Sequence, residues 1–261
     1  MNEADAITED AFLGGRLRLR QPKRGHRAGH DAILLAAATV ARPGDRVADL
    51  GAGVGAAGLA VACRVGSVVP VLVEIDPALA ELARQNVTAN HLAAEVAVLD
   101  VTSGATDFAA VGLPPDSCDV VLMNPPFNDA MRHRASPDVG RSLAHQAKAD
   151  TLEAWVHAAR RILKPGGSLT LIWRAEALAE VLAALEKGFG SLAVLAVHPD
   201  AASPAIRIII SAVKGGRAPL ILCPALVLND EFGKTPAPVQ AVLRGEQSLR
   251  LSDRSSTDRR G

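Results

Sequence analysis

In DLGAGVGAAG, residues 49–58, an acid closes an apolar run and glycines follow at 51, 53 and 55. Glycine at such positions permits positive φ and lets a ligand lie against the backbone where the next helix opens. Read literally, Gly51-x-Gly53-x-x-Ala56 also fits the dinucleotide turn of an NAD-binding sheet. Two acids tilt the choice. Asp49 sits at the carboxyl end of the first strand, where a carboxylate repels a pyrophosphate but pairs with a cationic ligand. S-adenosyl-L-methionine is such a ligand, with an ammonium, a sulfonium and no phosphate. Glu74 ends the second strand, where a carboxylate accepts from both hydroxyls of a ribose, which either ligand supplies. Asp100 follows the third strand and is placed to accept from an adenine amino group. Three carboxylates at successive parallel strand ends open on one crevice, the usual ligand site of such sheets.

Working outward from the glycine turn, strand and helix signals alternate. RVADL (46–50), PVLVEI (70–75), EVAVL (95–99), DVVLM (119–123) and SLTLIW (168–173) are short apolar strand candidates. Asp76-Pro77 reads as the N-cap and first residue of one helix, with Leu79, Leu82, Ala83 and Val87 on a shared face. Asp150 with Glu153 reads as a capping-box start for another, its apolar face formed by Leu152, Trp155, Val156, Ala159 and Leu163. Trp155 is thereby a core residue. Near-continuously apolar strands alternating with helices predict a parallel sheet covered on both faces. Downstream, SLAVLAVH (191–198) and AIRIIISAV (205–213) are joined by a short polar link, which predicts an antiparallel pair. APLILCPALVL (218–228) reads as an added edge hairpin. Residues 1–11 read as a disordered lead, 12–249 as one domain, and 250–261 as a disordered tail.

The chain has 261 residues, 49% hydrophobic, with 28 basic and 28 acidic side chains, so overall charge selects no partner. Local charge is more telling: Arg16, Arg18, Arg20, Lys23, Arg24 and Arg27 fall between Phe12 and His30 with no acid among them. In LGGRLRLRQ the basic residues alternate with apolar ones, so this is either a phosphate-binding face or a solvated strand surface. The three cysteines share no metal-ligand spacing and read as free buried thiols of a reducing compartment. No metal is expected. The acidic, polar start is unlike a secretory signal, and no apolar run reaches the ~20 residues of a membrane span. These features predict a soluble cytoplasmic protein.

The fourth strand ends in Asn124-Pro125-Pro126-Phe127. Two prolines cannot continue a ladder, since neither donates an N–H. The expected strand order brings Asn124 beside the ligand's sulfonium. An exocyclic amine or amide is a poor nucleophile, its lone pair being delocalised. The Asn124 oxygen and the Pro125 carbonyl are placed to accept both amine hydrogens, favouring a pyramidal nitrogen aimed at the methyl group. Pro126 helps hold the second acceptor rigid, and Phe127 is placed to stack on a planar acceptor. The basic stretch 131–148 that follows reads as a mobile lid or an ordinary surface loop.

DLGAGVG, VEIDP and NPPF resemble the motifs of class I S-adenosyl-L-methionine-dependent methyltransferases that methylate amines. GHRAGHDAILLAA (25–37) ahead of the glycine turn is similar to the bacterial tRNA (adenine-N6) methyltransferases acting on valine tRNA. The resemblance implies a doubly wound, mostly parallel, seven-stranded Rossmann-like sheet with one antiparallel strand and small terminal decorations. It implies that Asp31, Asp49, Gly51, Gly53, Glu74 and Asp100 contact the cofactor. It also implies that Asn124, Pro125, Pro126 and Phe127 form the acceptor site. His30 stands where the family carries a threonine, and Phe127 where it usually carries tyrosine. A tRNA is the implied partner, with Arg16, Arg18, Arg20, Lys23 and Arg24 as candidate RNA contacts. The rival reading is protein glutamine methylation, which uses the same motif set behind a helical substrate domain; only 48 residues precede Asp49 here. A non-catalytic cofactor or nucleotide binder, or an NAD-linked oxidoreductase, leaves Asn124-Pro125-Pro126-Phe127 without a task.

Overall fold

The computed structural model of the protein describes residues 7–24, 27–126 and 139–251, with side chains from 151 onward in the last segment. A hairpin opens it. Strand β1 (Ile7–Phe12) runs antiparallel to β2 (Leu17–Pro22) across the short turn Leu13–Gly15. In β2, Leu17, Leu19 and Gln21 are buried and Arg18 and Arg20 exposed, the period of two that the alternation predicted. The order expected from residue 12 begins at Ile7 instead. Partner carboxylates explain it: Glu9 pairs with Arg18 at 3.4 Å, and Asp10 with Arg27 at 2.6 Å.

The large sheet follows. Helix α1 (His30–Ala38) leads to β3 (Val47–Leu50), α2 (Ala56–Val65), β4 (Val71–Glu74), α3 (Pro77–Ala89), β5 (Glu95–Val98), α4 (Ala105–Ala110) and β6 (Cys118–Met123). Helix α5 (Val139–Ile162), β7 (Leu163–Arg174), α6 (Leu178–Glu186), β8 (Phe189–His198) and β9 (Arg207–Lys214) complete the alternation. Seven strands lie in the order β8-β9-β7-β6-β3-β4-β5, and β9 is antiparallel to both neighbours. The expected doubly wound sheet with one antiparallel strand is therefore present. Its two faces are separate cores. Leu34, Leu35, Leu59 and Leu72 pack on the side of α1 and α2, and Phe108, Val156, Ile162 and Trp173 on the other.

Residues 218–228 do not form a hairpin. Strands β10 (Ile221–Leu222) and β11 (Leu226–Val227) both run parallel to β8, consecutively along one edge. Cys223 and Leu228 continue the ladder by donating to the Val194 and His198 carbonyls. Pro224 lacks a donor and interrupts the edge without turning it back. Asp150 is not a helix start: α5 begins at Val139 and includes most of the stretch read as a lid. After Gly140 that stretch is rich in Ala, Gln, Lys and Leu, all good helix formers, which override the local capping signal. Helix α7 (Ala237–Leu243) closes the chain against α1, and Leu251 is buried, so order extends past the expected boundary at 249. Cys118 is buried, as expected of all three thiols, whereas Cys63 and Cys223 are only partly covered. No helix among the described residues is long and apolar enough to cross a membrane.

Candidate active site

Successive strands β3, β4 and β5 progress to one side, and the chain then returns to place β6 on the other side of β3. That reversal is the switch point where parallel sheets open a crevice beyond their carboxyl ends. Leu50 pairs with Met123, so the next residues, Gly51 and Asn124, emerge as neighbours. A cleft of about 460 Å³ opens there, lined by residues 27–32, Asp49, the glycine turn, Asn124 and Arg207.

The turn is built on its glycines. The Gly51 and Ala52 N–H groups donate to the Val73 carbonyl at 2.8 and 2.9 Å, and Gly51, Gly53 and Gly55 all have positive φ. The first two differ in what they face. A Cβ on Gly51 would lie 2.3 Å from the Trp155 ring, whereas one on Gly53 would meet nothing within 4 Å. Trp155 is a core residue, as expected, and also the floor of the turn. Gly51 makes room for that ring and Gly53 leaves the cleft open.

Asp49 is buried at 2% exposure, and its Oδ2 accepts from the Gly58 N–H at 2.8 Å. Burial pushes its carboxyl up to about 7; the Gly58 hydrogen bond opposes this and the nearby Glu74 charge adds to it. Glu74, 7% exposed, accepts from Gly53 N–H at 2.7 Å and Asp76 N–H at 2.9 Å. Its carboxylate thus underlies the cleft wall and fixes the glycine turn. Asp31 lines the cleft with its Oδ2 2.8 Å from Arg207 Nε.

Asn124 lines the cleft, and its Oδ1 is buried without a hydrogen-bond partner among the described residues. A buried amide oxygen left so carries a desolvation cost that an incoming donor would remove. Pro125 is buried behind it and Pro126 is exposed. Phe127 and residues 128–138 lie outside the described residues. Asp100 is not brought to the cleft lining: its Oδ1 accepts from both the backbone and hydroxyl of Thr102 at 2.8 Å, closing a local turn. No group of three or more His, Cys, Asp or Glu among the described residues is arranged to hold a metal.

The basic face is less uniform than its sequence. Arg16 donates to the Leu13 and Arg244 carbonyls, which makes it a clasp for the end of α7. Arg18 pairs with Glu9, while Arg20, Lys23 and Arg24 lie exposed. Two residues missed in the sequence hold this hairpin on the site. Asn86 is fully buried, accepts from Arg20 N–H at 2.8 Å, and donates to the carbonyls of Arg20 and of Val54 in the glycine turn at 3.0 Å each. Asn90, one turn on, treats Arg18 the same way. The i, i+4 spacing of Asn86, in α3, and Asn90, its C-terminal cap, was the available signal. Arg207 had none, lying 176 residues from Asp31.

Residues 31–200 match the family model described as "Methyltransferase small domain". A tRNA1(Val) (adenine(37)-N6)-methyltransferase of Porphyromonas gingivalis is 29% identical over 169 residues, 62% of this chain and 64% of that one. The namesake of Dickeya chrysanthemi is 26% identical over 229 residues, 84% of this chain and 86% of that one. Over the first of these the match spans just under two thirds of the curated relative. A predicted O-methyltransferase structure from Agrobacterium tumefaciens superposes with a TM-score of 0.70 at 31% identity, covering 84% of this chain and 98% of that one. The open glycine cradle at Gly53, the carboxylates behind it and the switch-point cleft fit the cofactor of that family. The chain belongs to the methyltransferase small domain family, and residues 31–200 are an S-adenosyl-L-methionine-dependent methyltransferase domain.

Proposed function

We propose that this protein methylates the exocyclic amine of an adenine, N6, in tRNA, and that valine tRNA is its substrate. The observation that carries the reading is the buried Oδ1 of Asn124 at the cleft, without a partner among the described residues, one residue after Met123, the last residue of β6 paired with β3 and β7. The names of the curated relatives support the choice of RNA, and a tRNA acceptor is in keeping with a cytoplasmic reaction.

In this reading Asp31, Asp49, Gly51, Gly53 and Glu74 hold the cofactor. Asp31 and Asp49 face its cationic end and Glu74 its ribose. Asp100 retains only an outer role, since Thr102 occupies one of its oxygens. Bound S-adenosyl-L-methionine supplies an electrophilic methyl group whose sulfur keeps the bonding pair as a neutral thioether. Asn124 Oδ1 and the Pro125 carbonyl accept the two amine hydrogens and turn the nitrogen lone pair toward the cleft. The prolines fix the second acceptor at no entropic cost on binding. Phe127 stacks on the base, worth roughly 1–3 kcal/mol. After transfer the surplus proton on nitrogen leaves to solvent.

The test is transfer of labelled methyl groups to total unmodified tRNA, with a release-factor preparation in parallel. Label recovered as N6-methyladenosine supports the reading. Label only in protein glutamine would replace it with the amide reading, which the same Asn-Pro-Pro-Phe geometry serves.

A further inference from the structure

The ion pair between Asp31 and Arg207 joins two halves of the cleft that the reaction uses separately. Asp31 lies in the first turn of α1 and Arg207 opens β9, and both side chains line the cleft with Asn124. Arg207 Nε donates to Asp31 Oδ2 at 2.8 Å and Nη1 to the Ile206 carbonyl at 3.0 Å. The pair is not sealed, with side chains 28% and 29% exposed, so either partner can be exchanged without opening the core.

A second observation points to an anion. Arg207 is the direct cross-strand partner of Arg174 on β7. Such partners have Cβ atoms about 5 Å apart on one face, where like charges repel. Arg174 stands at the carboxyl end of β7 and Arg207 at the amino end of antiparallel β9, so two guanidinium groups share one end of the sheet, each held by a single carboxylate among the described residues, Glu176 and Asp31. Arg174 Nη1 pairs with Glu176 at 2.6 Å, yet its Nε is buried without a partner among the described residues. Phosphate suits this arrangement, because the planar fork of arginine matches its oxygens two at a time.

We propose that Arg207 holds a backbone phosphate of the acceptor strand beside the target base, and that cofactor binding releases it to do so. This rests on the RNA reading above. When the ammonium of the cofactor engages Asp31, the carboxylate exchanges partners and the Arg207 guanidinium turns toward the strand, with Arg174 alongside it. Cofactor and RNA therefore bind with positive coupling, and the cofactor binds productively first. By linkage, RNA strengthens cofactor binding by the same factor.

The experiment measures the affinity of a valine tRNA transcript with no ligand, with S-adenosylhomocysteine, and with methylthioadenosine, which lacks the ammonium and carboxylate. The wild-type protein should bind RNA about fivefold or more tightly with S-adenosylhomocysteine, and no more tightly with methylthioadenosine. Arg207→Met should remove that gain and lower the slope of log affinity against log salt by about 0.7–0.9. Arg207→Lys should restore the slope. Asp31→Asn should bind RNA without ligand as tightly as the liganded wild type, while losing affinity for S-adenosylhomocysteine. Equal gains from both ligands, or an unchanged slope in Arg207→Met, overturn the proposal and leave adenine methylation standing. Failure to bind RNA in every condition overturns both.

Discussion

Replacing Gly51 by alanine tests whether this glycine serves the core or the ligand. Its φ of +71° is costly for any residue with a Cβ, at about 1–2 kcal/mol. The new methyl would also stand 2.3 Å from one ring carbon of Trp155 and 2.8 Å from a second. With Trp155 only 8% exposed and no room to retreat, overpacking adds about 1–3 kcal/mol. The sum, about 2–5 kcal/mol, corresponds to a loss in Tm on the order of 5–15 °C for a domain of this size. Gly53→Ala shares the backbone cost but not the clash, so it should lose roughly 1–2 kcal/mol and act mainly on cofactor affinity. Both clashing ring carbons belong to the six-membered ring that Phe does not place there. Trp155→Phe should therefore rescue the Gly51→Ala variant, and the double variant should be more stable than the two single costs predict. Thermal unfolding of the four proteins closes the cycle. Additive costs within about 0.5 kcal/mol would refute the argument that Trp155 is what Gly51 accommodates.

Asp49 gives a pH prediction. Its carboxyl is raised to about 7 in the fold and lies near 3.8 when unfolded, so the folded state holds a proton that the unfolded state has lost. Stability of the cofactor-free protein should then fall as pH rises from about 4 to about 7 and level off above; Asp49→Asn should flatten that profile in denaturant titrations, and an unchanged profile would assign it to other groups. Glu74→Gln keeps one acceptor for the Gly53 N–H and loses the second, so it should weaken cofactor binding about tenfold in calorimetry; equal affinity would remove Glu74 from the site. Replacing Arg18 and Arg20 with glutamine, which removes the positive charge without setting a like charge against Glu9, should raise the Michaelis constant for tRNA at low salt with little change in Tm, and an unchanged Michaelis constant would make them a plain solvated face. Arg16 is left out because it holds the Arg244 carbonyl, and its loss would confuse folding with binding.

What the sequence made legible is what short-range pattern encodes. Runs such as DVVLM and PVLVEI are near-continuously apolar because both sheet faces are covered, and they marked the strands correctly. The Leu-Arg alternation at 17–20 marked the hairpin, and Asp76-Pro77 marked the start of α3, where Asp76 accepts from the Ala78 N–H. The failures share a cause, which is competition from partners distant in sequence. Residues 218–228 read as a hairpin, yet both of their short strands pair in parallel with the edge of β8. Asp100, read as a third ligand carboxylate, lies off the cleft lining and turns its Oδ1 to Thr102 two residues on. The acid-free segment 12–30 looked uniformly basic, and β1 brought Glu9 and Asp10 against it. The candidate site divides the same way. Asp49, Gly53, Glu74 and Asn124 are visible as motif residues, whereas Arg207 enters only because an antiparallel strand starts at the cleft.

The measurement that bears most directly on the account is single-turnover methyl transfer to valine tRNA by the wild type and by Asn124→Ala, with cofactor affinity measured on both. The account predicts N6-methyladenosine from the wild type, a loss of at least about a hundredfold in the variant, and cofactor affinity within about twofold. Transfer by Asn124→Ala at the wild-type rate, or loss of cofactor binding together with activity, would contradict the role assigned to the unpartnered amide.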